Sequence, residues 1–297
     1  MKFEEIPILH TVSALLLFGL QNVDAQEASE RFGPDIEAFT ITCGDVSLLL
    51  RQKTQWTPGR VDFRSHPMTT EASAYSTVFS YPEIGFIGTG HFENEPENLQ
   101  SLDFFLDGEK TTELSEAMSG KTFRFERKSR IRSFRLFNEI QLKDNRLYET
   151  AEVETDTAQP LKLVYHFMHA WKPSMSEFLA GVDAESEKVI TGPLGDDEAI
   201  ARKFFINEKV DWMAVYEPES KQFAVSRLLE SPEEAGNISM VWNVPKAYRK
   251  YYLKCFNNDT VPAGFKGKWR MVTSFGSAEK GEWKVAARKL AEALKRP

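Results

Sequence analysis

Residues Lys121-Thr-Phe-Arg-Phe-Glu-Arg127 and Ile131-Arg-Ser-Phe-Arg-Leu-Phe-Asn-Glu-Ile-Gln-Leu142 repeat with a period of two. Phe123, Phe125 and Arg127 alternate with Arg124 and Glu126, and Phe134, Leu136 and Asn138 alternate with Arg135 and Phe137. Side chains of a strand point to opposite faces in turn, so this spacing predicts half-buried strands. Working outward, strand-like runs occur at 39–50, 74–80, 83–91, 99–106, 147–155 and 160–171, and again at 210–217, 223–229, 238–244, 250–256 and 268–275. Asp107-Gly108 and Asp144-Asn145 lie between alternating runs and have hairpin-loop chemistry. Pro262-Ala-Gly264 reads as a turn before a strand, and the polar stretch 181–201 as a long loop or small helix. Many short strands separated by turn residues predict an all-β fold, a large antiparallel β-sandwich.

One segment departs from this pattern. Residues 278–295 place Trp283, Ala287, Leu290, Ala291 and Leu294 on one helical face, with Ser277 as a candidate N-cap. This predicts a C-terminal helix lying on the outside of the sandwich. Repeats and Pro/Ser-rich linkers are lacking, so residues 26–297 read as one domain.

The 297 residues are 41% hydrophobic and 27% charged, which suits a chain with a core rather than a disordered one. The 22 Phe are mostly core by this reading, while part of the Tyr and Trp complement suits sugar-stacking platforms. With a net charge of −7 and its one basic run, Arg124–Arg132, interleaved along a strand, the chain is not expected to bind nucleic acid. Val12-Ser-Ala-Leu-Leu-Leu-Phe-Gly-Leu20 is too short to span a bilayer but has the length of a signal-peptide core. Cleavage after Ala25 would remove residues 1–25 and export the rest to the periplasm or the medium; Glu4 and Glu5 beside Lys2 weaken the basic flank. Cys43 and Cys255 are either a bridge between the first and last strands or two separate buried thiols.

Three stretches carry the candidate chemistry. Gly85-Phe-Ile-Gly-Thr-Gly-His91 is a strand ending in a glycine-rich bend with His91 at its tip, where Gly88 and Gly90 allow close backbone approach. Gln159-Pro-Leu-Lys-Leu-Val-Tyr-His-Phe-Met-His-Ala-Trp171 carries His166 and His169, which face opposite sides unless a bulge intervenes. Residues 238–256 are dense in aromatics, offering Trp242, Tyr248 and Tyr252 to a sugar; Arg249, Lys250 and Lys254 are a solvated edge or partners for a uronate or sulfate. His66, His91 and His166 lack metal-ligand spacing, and no cofactor motif is found, so no metal or cofactor is expected.

The segment Pro160-Leu-Lys-Leu-Val-Tyr-His-Phe-Met-His-Ala-Trp171 resembles the "P-hydrophobic-x-L-x-N-H-x-Y/F" strand of galactose mutarotase-like (aldose 1-epimerase-like) proteins. The preceding stretches, residues 133–140 and 145–156, follow the order of that family's strands. Residues 261–275 resemble its final "L-x-P-G-x-x-x-x-x-x-T-x-x-F" strand, so the likeness spans residues 123–275. It implies a supersandwich with a broad concave carbohydrate site. It further implies a general acid at His166 that protonates the sugar ring oxygen, opposite a glutamate near the C-terminus. The chain departs from the pattern twice: Tyr165 stands where the family has Asn, and the strand at 250–256 holds no carboxylate, with Tyr252 or Lys254 near that place and Glu217 in reserve. The resemblance thus implies a divergent, exported carbohydrate-binding protein in which epimerase activity is not expected. Its alternative is a carbohydrate-active enzyme, an isomerase at the anomeric centre or a polysaccharide-processing one, with His166 as acid. The remaining binding candidates are His91, His169, Trp242, Tyr252, Lys254 and Arg249.

Overall fold

The alternating runs pair into three larger sheets and a two-stranded one, Gln159–Leu161 with Asp259–Val261, of a computed structural model, which describes residues 35–72, 75–91, 93–182 and 188–295. The expected leader, residues 1–25, lies outside the described residues. A ten-stranded sheet runs, edge to edge, through Val189–Pro193, Glu177–Gly181, Trp212–Glu217, Gln222–Glu230, Lys266–Ser277, Arg146–Glu154, Phe134–Lys143, Thr122–Ile131, Asn98–Leu106 and Glu109–Thr111. A six-stranded sheet has the order Ile206–Glu208, Ile238–Val244, Tyr248–Cys255, Leu163–Trp171, Tyr75–Tyr81, Gly85–Gly88. A five-stranded sheet contains His66–Pro67, Pro58–Phe63, Val46–Arg51, Ala38–Cys43 and Ala117–Gly120. The last of these pairs is parallel, Thr40 opposite Ala117, whereas the other named pairings are antiparallel.

Both smaller sheets pack on one face of the large one, and aromatic rings form the seam. Phe79 of the six-stranded sheet stacks on Phe134 with centroids 4.2 Å apart, and Phe63 of the five-stranded sheet stacks on Phe275 at 5.6 Å. Phe39 meets Phe104 and Phe123 edge-on. Each such fully buried ring stabilises by about 1.5–3 kcal/mol relative to exposure, which explains why most phenylalanines lie inward. The opposite side of the central strands is polar: Arg124, Glu126 and Glu139 form an ion-pair ladder there. The fold is therefore an all-β, large, mostly antiparallel sandwich.

The predicted hairpin turns form, with Asp107, Gly108, Asp144 and Asn145 all at positive φ. The C-terminal helix is shorter than expected, Trp283–Ala293, because Ser277 remains paired as the last residue of strand Lys266–Ser277 and so cannot cap it. Its apolar face packs outside the ten-stranded sheet as predicted: Trp283 stacks on Tyr216 at 4.9 Å, and Ala287, Ala291 and Leu294 are buried with it. Arg227 Nη1 donates to the carbonyl of Ala291 at 2.9 Å, satisfying a helix-end acceptor. The polar stretch after Gly181 contributes an edge strand, Val189–Pro193, rather than only a loop. Cys43 and Cys255 are two separate buried thiols in different sheets, not a bridge.

Candidate functional site

Strand Leu163–Trp171 does not alternate throughout. His166 lies opposite Leu253 and His169 opposite Tyr251, so three steps on one strand match two on its neighbour. The extra residue is accommodated at Phe167, which adopts φ +56°, a left-handed conformation that costs a non-glycine residue about 1–2 kcal/mol. The bulge puts Val164, His166, Phe167, His169 and Trp171 on the core side, leaving Leu163, Tyr165, Met168 and Ala170 on the other.

His166 is consequently a core residue, which corrects its expected place on an open sugar-binding face. It has no exposed surface, and its ring packs 4.2 Å from that of Trp269. Asn138 Nδ2 donates to Thr77 Oγ1 at 3.4 Å, and that hydroxyl shares a 3.0 Å hydrogen bond with His166 Nδ1. The charged form cannot be solvated there, and burial pulls its pKa to about 3. His169 also faces inward, its Nε2 2.7 Å from Glu149 Oε2, both side chains buried. Arg249 faces inward as well: Nη1 donates to Asp196 at 2.7 Å and Nη2 to the carbonyl of Pro173 at 2.9 Å. The structure thus turns His169 and Arg249 inward and does not bring them to the face that gathers the other candidates.

The outer face of the same six-stranded sheet gathers the other candidates. Strand Tyr248–Cys255 alternates, with Arg249, Tyr251, Leu253 and Cys255 buried and Tyr248, Lys250, Tyr252 and Lys254 partly exposed. Trp242 is the cross-strand partner of Lys250, and Ala170 flanks it on the other side. Lys250 Nζ lies 5.0 Å from the ring centre of Tyr165, 5.5 Å from Trp242 and 5.3 Å from Tyr252, within cation–π range of all three. The Tyr165 and Tyr252 rings are 4.9 Å apart, and Phe86, 37% exposed, lies 6.3 Å from Tyr165 at the rim. Burial lowers the Lys250 ammonium to about 8 and raises the Tyr252 phenol.

His91 joins this face from the glycine-rich bend. Its ring is 6.1 Å from Phe86, and Nε2 is 3.6 Å from Glu93 Oε2. Burial, reinforced by Lys250 and opposed by Glu93, holds the imidazolium below its ordinary pKa. The bend needs its glycines: a Cβ on Gly88 would sit 2.4 Å from Val78 Cγ2 and 2.8 Å from the Thr77 carbonyl, and Gly90 has φ +67°. The Gly90 N–H donates to Glu97 Oε2 at 3.0 Å, and Glu97 Oε1 lies 2.9 Å from Arg127 Nη2, with both side chains fully buried. A buried ion pair therefore anchors the turn that presents His91.

His91, Trp242 and Tyr252 thus come together, and Lys254 shares their strand face beside Tyr165 in register. Lys250, open in the sequence between a solvated edge and a uronate or sulfate partner, lies at the centre of this face, and sequence reasoning missed Tyr165 and Phe86 as members of the site. The signal available was that 250 and 252 share parity with 242's partner strand. Glu217 lies elsewhere, in a cluster with His66, Ser220 and Lys172, whose Nζ is 3.0 Å from Glu217 Oε1. A shallow groove of about 510 Å³ also lies away from this face, beside Ala38 to Thr40, with Asp35, Glu37 and Glu116 on its walls. Among the described residues no group of three His, Cys, Asp or Glu is placed to hold a metal ion, and no helix is long and apolar enough to cross a membrane.

Chemically, the outer face offers flat rings for the apolar side of a pyranose, with an ammonium and an imidazole as polar contacts. No protein-family model matches the chain, and no curated protein matches it. Among solved structures it is similar to a protein from Synechocystis sp. PCC 6803, at 9% identity and TM-score 0.51, covering 84% of this chain and 99% of that one. It is similar also to an alpha-galactosidase from Lactobacillus brevis, at 9% identity and TM-score 0.51, over 87% of this chain but 42% of that one. A galactose mutarotase-like protein from Lactobacillus casei matches at 8% identity and TM-score 0.48, over 80% of this chain and 100% of that one. At such identities the two matches at TM-score 0.51 show a likeness of fold alone.

Proposed function

We propose that this chain is an exported carbohydrate-binding protein that holds a sugar on the outer face of its six-stranded sheet and does not epimerise it. The observation that carries the reading is the ring cluster of Tyr165, Trp242 and Tyr252 around Lys250, with Phe86 exposed at its edge. Aromatic platforms with a few polar groups are what a pyranose needs, an apolar stacking surface and donors for its hydroxyls. Against epimerase chemistry stands His166. An acid–base mechanism requires a group that reaches the sugar and holds a proton near ambient pH. His166 is enclosed against Trp269 and neutral at ambient pH, and its ring nitrogen Nδ1 is occupied by Thr77. The export part of the reading rests on the apolar run Val12–Leu20 followed by Ala25.

The test is a saccharide screen by thermal shift and tryptophan fluorescence on the mature chain, paired with polarimetry of freshly dissolved α-galactose and α-glucose. Binding without faster mutarotation is expected. Accelerated mutarotation that survives His166→Gln and is lost in Lys250→Met would replace the reading by an enzyme working from the outer face. Intact mass of the protein recovered from its producing cells tests export, the expected species beginning at Gln26.

A further inference from the structure

The cation at the centre of the aromatic face has no carboxylate in contact with it, and the exposed Glu93 acts on it only at longer range. Lys250 lies on a strand that is central in its sheet, between Ile238–Val244 and Leu163–Trp171, so its stem is enclosed on both sides. No carboxylate among the described residues comes within ion-pair distance of its Nζ, and no hydrogen bond satisfies its three N–H groups there. The three rings supply only their quadrupoles. Glu93, two-thirds exposed and 3.6 Å from His91, is the carboxylate whose charge favours the ammonium, and Lys254, of the same sign as Lys250, shares its strand face. Other buried cations here do have partners: Arg127 has Glu97, and Arg249 has Asp196. A half-buried ammonium left without a counter-ion is costly in an isolated domain, and a bound anion offsets that cost.

We propose that the aromatic face selects a sugar bearing a fixed negative group, which pairs with Lys250 while Tyr165, Trp242 and Tyr252 hold the ring. This rests on the carbohydrate-binding reading and narrows it to a ligand class. The shared chemistry is one anionic oxygen group on a pyranose, which either a uronic acid carboxylate or an ester sulfate supplies. Lys250 is suited to either as a compact charge with three donors, lacking the planar fork that would favour a carboxylate.

Calorimetric titration of the mature chain with galacturonate, galactose 6-sulfate and galactose tests the proposal. At least one anionic sugar is expected to bind about tenfold or more tightly than galactose, the scale of one charge-assisted hydrogen bond. Lys250→Met keeps the stem's length and should bring the anionic sugars to within about twofold of galactose, whereas Lys250→Arg should retain the preference. Which anionic sugar wins identifies the source of the charge. Equal affinities in the wild-type chain, or a preference that survives Lys250→Met in protein with an unchanged melting temperature, overturn the proposal while leaving the sugar-binding reading in place. Failure of all three sugars and of their oligosaccharides to bind removes both.

Discussion

The imidazole of His166 and the indole of Trp269 pack with their ring centres 4.2 Å apart in the seam between the six-stranded and ten-stranded sheets. A histidine in that position keeps the core polar at one point, through Thr77 and Asn138, and its burial disfavours the charged imidazolium.

Its depressed pKa sets a pH dependence. Above about 6.5 the imidazole is neutral in both folded and unfolded chains. As pH falls below that value the unfolded chain gains a proton that the folded chain refuses, until the folded group titrates near pH 3. Stability from this site is thus complete above pH 6.5 and falls by up to ~1.4 kcal/mol per pH unit beneath it. Urea midpoints at pH 7, 6 and 5 should show a steeper loss for wild type than for His166→Gln. An NMR titration placing His166 near pH 6.5 in the folded protein would sink the idea.

Glu217 governs a lower window. Burial opposes its ionisation, but the donors around it, Ser220, Lys172 and His66, hold its carboxyl down at about 2. The folded pKa is depressed, so its contribution is present above the unfolded value of about 4.5 and is lost as pH drops toward 2. The full effect is about 3 kcal/mol. Glu217→Gln should flatten the acid limb between pH 4.5 and 2, read as melting temperature against pH, while lowering stability at pH 7.

The buried pair behind the His91 bend gives a double-mutant cycle. Arg127→Met leaves Glu97 charged in the core and should cost about 3–5 kcal/mol. Adding Glu97→Gln removes that charge and keeps an acceptor for the Gly90 N–H, so the double variant should recover much of the loss. Chemical denaturation checks the order; a double variant no more stable than Arg127→Met would show that the pair is not what holds this region.

Gly88→Ala should destabilise by about 1–3 kcal/mol, because the new methyl meets Val78 and the Thr77 carbonyl. Val78→Ala on top of it should fail to restore stability, since the backbone oxygen remains at 2.8 Å. A full rescue in a thermal melt would mean that the side chain alone was limiting.

Trp242→Ala removes a half-buried platform without opening the core. Sugar affinity should fall about tenfold, within the range for losing one stacked aromatic contact, and the melting temperature should change little. Fluorescence titration against a saccharide ligand reads this directly; unchanged affinity would exclude Trp242 from the ring cluster's function.

The strands and their pairing were legible because inward phenylalanines alternate with charges, as at Phe123, Phe125, Phe134 and Leu136. The sides of the six-stranded sheet were not. Both of its faces bury side chains, so alternation in Tyr248–Cys255 says which residues share a face but not which face is outward. Arg249 reads as solvated until Asp196, 53 positions away, folds onto it. The bulge at Phe167 is invisible to periodicity because Phe167 carries no glycine-like signal for its positive φ. That one residue decides that His166 and His169 look inward together and that Tyr165 and Met168 look out. Lys250 stayed open between an edge residue and a ligand partner because sheet order is a tertiary fact, set by which segments pair rather than by their composition.

The two separate thiols have a practical consequence. Burial raises the Cys43 thiol to about 11 and pushes Cys255 higher still, so neither offers a thiolate to reagents while its surroundings hold. Cys43 ends a strand of the five-stranded sheet and Cys255 a strand of the six-stranded one. Alkylation rates at the two positions therefore clock the opening of each small sheet separately, within one unlabelled native chain.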